Sequence, residues 1–67
     1  MTIDLNGEPH EVATGATVAD LLAQLSPGET RGVAVAVDGE VVPRGVWDAT
    51  ALHDGGRVEL LRAAQGG

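Results

Sequence analysis

The chain has no cysteine, lysine, tyrosine or phenylalanine among its 67 residues. Without cysteine there are no disulfides to staple the fold and no thiolate metal centre. A chain this short buries only about 60% of the surface its unfolded form exposes, so one small apolar core must hold it together. Without tyrosine or phenylalanine, Trp47 is the only aromatic ring, too little for a base-stacking platform. Four arginines against ten aspartates and glutamates leave a net charge of −6, a field that repels phosphate backbones. Nucleic acid is therefore excluded as a partner, and a basic groove on another protein is the natural complement. The two histidines, His10 and His53, lack a third ligand at useful spacing, so no metal is expected and both are read as structural or solvated. The carboxylates are scattered, without the close pair that general acid–base catalysis needs. No GxxxxGK[ST] loop is present to cradle a nucleotide. The opening "MTIDLNGEP" has neither the basic nor the apolar part of a secretory signal, and no later run approaches membrane-spanning length. The expectation is a cytoplasmic protein with no membrane contact and no bound cofactor.

What the sequence does contain is regular. In "TIDLNGEPHEVA", Ile3 and Leu5 alternate with polar neighbours, Asn6-Gly7 turns the chain, and His10 and Val12 share one side of a second strand. Pro9 places that strand at a sheet edge. The period then changes: Val18, Leu21, Leu22 and Leu25 form one apolar stripe of a helix over about 18–25. Thr17 is its N-cap, Asp20 sits near its positive end, and Pro27-Gly28 stops it. Val33, Val35 and Val37 form a third strand, Asp38-Gly39 a turn, and a short fourth strand ends at Pro43. Residues 46–52 are irregular, with Trp47 read as a core or rim filler. Arg44, after Pro43, is left open between a partner contact and a cap on the strand end. "HDGG" then turns into "RVELLRA", where Val58 and Leu60 alternate with Arg57 and Glu59.

The order ββαβββ, with a single apolar helix stripe, predicts an α+β fold in which a mixed sheet of about five strands packs on one helix. That is the ubiquitin-like β-grasp. The expected organisation is one domain, residues 1–63, followed by a flexible C-terminal tail, residues 64–67, ending on Gly66-Gly67. If Val58 and Leu60 face the core, Leu61 shows at the surface beside the tail, near Ala34 and Ala36, with Arg62 at the rim of a small apolar contact patch.

A β-grasp whose last strand runs into an exposed Gly-Gly end resembles the ubiquitin-like proteins. More narrowly, "VAVDGEVVPRGVW" and "LHDGGRVELLRAAQGG" resemble the ThiS family, sulfur carriers of thiamine thiazole biosynthesis. The length, the "VVPR..W" segment, the "DGG" turn and Gly66-Gly67 carry the likeness over nearly the whole chain. It departs from common members at Asp54-Gly55-Gly56, where Asp-Gly-Asp is frequent, and at Ala63-Ala64-Gln65, which replaces a more apolar lead into the glycines. The resemblance implies a monomeric carrier, a protein co-substrate rather than an enzyme. A ThiF-like adenylating enzyme, using ATP and magnesium, would activate Gly67. A sulfur donor protein would convert it to a thiocarboxylate, and thiazole synthase would take the sulfur. Gln65 and Gly66 would thread the partner's channel, and Leu61, Ala34, Ala36 and Arg62 would dock. Two other readings share these residues: a molybdopterin-synthase small subunit, or a ubiquitin-like interaction or modifier protein.

Overall fold

The computed structural model describes residues 1–26 and 30–62. Two hairpins are set by their turn dipeptides. Asn6 and Gly7 hold φ of 51° and 87°, and Asp38 and Gly39 hold 50° and 86°. Positive φ at both central residues matches the right-handed twist of flanking strands, and Asn, Asp and Gly bear that conformation at least cost. The first turn joins β1 (Thr2–Leu5) to β2 (Glu8–Glu11), and the second joins β3 (Val33–Val37) to β4 (Glu40–Val41). With β5 (Arg57–Arg62) the sheet order is β2-β1-β5-β3-β4. Pro9 lies in the edge strand β2, where its missing N–H breaks no ladder. The pair β1 and β5 runs parallel and the other neighbours antiparallel, which makes the sheet mixed as its sequence pattern predicts.

The helix α1 spans Val18–Leu25. Thr17 caps it as expected and does more: its hydroxyl accepts from Asp20 N–H at 3.2 Å, while Asp20 Oδ2 accepts from Thr17 N–H at 3.0 Å. This capping box satisfies donors that the first helical turn leaves without partners. Val18, Leu21 and Leu22 enter the core, whereas Leu25, the fourth residue of the apolar stripe, stands in the last turn and is 38% exposed. Pro27-Gly28 lies outside the described residues.

Residues 46–52, irregular in the sequence reading, include most of a 3-10 helix, Arg44–Ala49. Pro43 starts it with a φ of −60°, and Val46 N–H donates back to Pro43 O at 3.0 Å. The tight winding turns Trp47 inward, and its indole N–H donates to Val42 O at 2.9 Å. The chain then runs against the helix start, with Leu52 N–H donating to Ala16 O and Val18 N–H to Thr50 O. Trp47, Val42 and Leu52 thereby join Ile3, Leu21, Leu22, Val35 and Val58 in a single core between helix and sheet.

Candidate docking face

The pleat of β5 sorts its side chains. Val58 is fully buried and Leu60 packs on the core, while Arg57, Glu59 and Leu61 face away from the helix. Leu61 is 71% exposed and stands opposite Ala34 on β3. Ala36 stands opposite both Glu59 on β5 and Val41 on β4, so all five share the outer face. Asn6 and Val35 complete the lining of a shallow depression of about 200 Å³ between Leu61 and Val41. The two alanines form its floor because they are too small to fill it. An apolar knob from a partner can seat there, rimmed by the Glu59 carboxylate.

The sequence reading placed Leu61, Ala34 and Ala36 together, and so does the structure. Val41 it passed over, although it is 77% exposed. The signal was available: Val41 and Val42 are adjacent in the extended run before Pro43, where consecutive side chains point to opposite faces, so one of the two must face solvent. Arg62 corrects the expectation of a rim residue. It follows Leu61 in the pleat and therefore turns to the helix side, where its guanidinium donates to Ser26 Oγ at the helix C-cap. Arg44 is taken up within the domain, its guanidinium donating to Thr30 Oγ1 at 2.8 Å and to Thr30 O at 2.6 Å while lying 4.8 Å from the Trp47 ring centroid. Gln65, Gly66 and Gly67 lie outside the described residues.

The end of β5 is held by a side chain that the sequence reading treated only as a turn former. Beyond the last β1–β5 pair, Leu5 with Val58, Asn6 continues the ladder. Leu60 N–H donates to Asn6 Oδ1 at 2.8 Å, and Asn6 Nδ2 donates to Leu60 O at 3.2 Å. At its other end β5 is fastened by Asp38, whose Oδ1 accepts from Arg57 N–H at 3.0 Å and whose Oδ2 lies 2.6 Å from His53 Nε2. The hydrogen bond from His53, then that from the Arg57 backbone, holds the Asp38 carboxyl below its ordinary range. The same contact, with the attraction of the Asp38 charge, raises His53 above its ordinary value of 6.5. His10 meets Gln24 of the helix at 3.1 Å. Among the described residues no group of three His, Cys, Asp or Glu side chains could hold a metal ion, and no helix is long and apolar enough to cross a membrane.

A mixed five-strand sheet wrapped on one helix, with an apolar patch on its free face beside the end of the last strand, defines a ubiquitin-like β-grasp domain. The chain belongs to the ThiS family, whose model matches residues 3–67. It is 34% identical to the sulfur carrier protein ThiS of Escherichia coli (strain K12) over 67 residues, covering 100% of both chains. It is also 37% identical to 67 residues of a thiazole synthase from Magnetococcus marinus, 100% of this chain and 20% of that protein. The crystal structure of the thiamine biosynthesis protein ThiS from Geobacter metallireducens superposes with a TM-score of 0.84, at 38% identity and full coverage of both chains. The solution structure of a thiamine biosynthesis protein from the same organism gives 0.82 at 38% identity, covering 100% of this chain and 88% of the other. The family match favours the thiamine reading over the molybdopterin-synthase one.

Proposed function

We propose that this chain is a sulfur carrier of thiamine biosynthesis that bears its sulfur on the carboxyl group of Gly67. The observation that carries the proposal is the end-to-end match to the Escherichia coli carrier, within which Gly67 falls. The chemistry requires help from outside. A carboxylate is a poor electrophile, because its charge is delocalised and an oxide is a poor leaving group, and this sequence has no phosphate-binding loop to recruit ATP. A ThiF-like adenylating enzyme would transfer AMP from ATP to the Gly67 carboxylate, releasing pyrophosphate. Sulfur delivered by a donor protein would then displace AMP and leave a thiocarboxylate. The chain is in this reading a monomeric protein co-substrate in the cytoplasm and not an enzyme. The patch of Leu61, Ala34, Ala36 and Val41 serves as the surface by which each partner holds the domain while Gly67 reacts. Residues 63–67 can reach at most about 18 Å from Arg62 when fully extended, so the docking face and the reactive carboxyl are read by one enzyme at once.

Thiazole synthase as the recipient draws support from the match to a segment of the Magnetococcus marinus protein. A carrier-like segment within the chain of a thiazole synthase keeps the two at high effective concentration, which suits a delivery step between them.

The test is intact and fragment mass spectrometry after incubation with ATP, magnesium, the adenylating enzyme and a sulfur source. Exchange of oxygen for sulfur adds nearly the same mass as oxidising Met1 to its sulfoxide, so fragments must place the gain at Gly67. A gain at Gly67 is the expected result. An unmodified Gly67, with the same enzymes active on the Escherichia coli carrier, would overturn the proposal.

A further inference from the structure

Asn6 joins two functions in one residue. It forms the β1–β2 turn with Gly7, and its carboxamide satisfies both backbone groups of Leu60 where β1 has already ended. Its own N–H donates to Val58 O at 2.9 Å. The end of β5, where the pleat phase of Leu61 is decided, is thus fastened on this side by a single primary amide.

An asparagine followed by glycine is chemically labile, because no side chain hinders attack by the glycine nitrogen. The deprotonated Gly7 nitrogen attacks Asn6 Cγ and forms a new C–N bond. The bond from Cγ to the amide nitrogen breaks and ammonia leaves with the proton. Water then opens the cyclic imide at either carbonyl, giving aspartate or a β-linked isoaspartate. In the folded protein both reactants are engaged. Gly7 N–H donates to Asp4 Oδ1 at 2.7 Å, and the Asn6 carboxamide is held on Leu60.

We propose that Asn6 is a modification site, a deamidation-sensitive clasp that the fold protects and whose conversion unfastens the Leu60–Arg62 end of β5. Conversion removes the only donor that Asn6 offers to Leu60 O. It also places a new carboxylate in a depression lined by Asp4, Glu59 and a single cation, Arg57. Isoaspartate further lengthens the backbone by one carbon within a two-residue turn that tolerates no such insertion. The consequence is confined to the strand end next to the docking face, because among the described residues the hydrogen bonds of Asn6 and Gly7 run to Val58, Leu60 and Asp4 and not to the helix.

The experiment incubates the full chain at mildly alkaline pH, folded and in urea, and maps Asn6 by the mass gain of replacing NH₂ with OH. Hydrogen exchange is then followed on aged protein and on Asn6→Asp and Asn6→Gly variants, the latter keeping the turn while removing the carboxamide. Conversion should be slower by about tenfold or more in the folded protein, and Asp4→Ala should narrow that gap. In Asn6→Gly, which removes the acceptor of Leu60 N–H, and in aged isoaspartate-bearing protein the Leu60 amide should exchange about fivefold faster or more, with a smaller rise in Asn6→Asp, which keeps an oxygen acceptor for that N–H but repels Leu60 O, and with Leu21 and Leu22 of the helix unchanged. Equal conversion rates with and without urea would overturn the proposal. So would unaltered exchange at Leu60, or a rise that spreads equally to the helix.

Discussion

Leu61→Ala separates docking from folding, and the structure sets both magnitudes. Leu61 is 71% exposed, so less than a third of it is buried in the free domain. Burying a whole leucine side chain is worth about 1.5–3 kcal/mol, so the truncation should cost folding no more than about 0.5–1 kcal/mol. If a partner covers the rest of the side chain, the same truncation removes roughly 1–2 kcal/mol of binding, a loss of about 5–30-fold in affinity. Isothermal calorimetry against the adenylating enzyme and against thiazole synthase measures the second quantity, and urea unfolding followed by circular dichroism measures the first. The alanines beneath Leu61 sharpen the test, since Ala34→Asp would place a charge on the floor of the same depression and should weaken binding further. Unchanged affinity for both enzymes would refute the assignment of this face. Unfolding shifted by well over 1.5 kcal/mol would refute the exposure argument on which the separation rests.

Three further outcomes follow from named contacts. Thr17→Ala removes the capping box and should lower stability by about 1 kcal/mol, read as a lower urea midpoint with an unchanged slope. Trp47→Phe leaves Val42 O without its indole donor in the core and should cost about 1–3 kcal/mol, measured in the same way. The His53–Asp38 pair should give a bell-shaped contribution to stability. The His53 part is complete below 6.5 and fades as pH rises through its raised value, and the Asp38 part is complete above 3.8 and fades as pH falls through its lowered one. NMR titration of the His53 ring should show its pKa returning toward 6.5 in Asp38→Asn, and an unchanged titration would remove Asp38 as the cause.

Local pattern carried the sequence reading a long way. The helix over 18–25, its cap at Thr17, both positive-φ turns and the outward Leu61 all follow from periodicity or from dipeptide chemistry within a few residues. Apart from Val41, whose signal was local, the misses share one cause, contacts between residues distant in the chain. Arg62 was assigned to the rim by its proximity to Leu61, but its partner is Ser26, 36 residues away. The hold of Asn6 on Leu60 spans 54 residues, and that of His53 on Asp38 spans 15. The 3-10 helix at Arg44–Ala49 escaped for a related reason. Its winding answers to the destination of Trp47 in the core rather than to any periodic stripe of its own. Gly66 and Gly67, the reactive end in the proposed function, were legible only through family likeness, because a side-chain-free dipeptide carries no pattern of packing to read.

The strand that leads to residues 63–67 is the central one of the sheet, antiparallel to β3 over five residue pairs and parallel to β1 on its other side. Tension applied to that end runs along β5, so the ladders on both flanks resist it in shear, with their bonds strained together instead of peeling one at a time. In the proposed function the carrier is handled by its end: one enzyme would draw the carboxyl into an active site and another would retrieve it. A domain anchored this way transmits such a pull to its whole sheet, and the body can be tugged free of a partner without unravelling at the point where it is held.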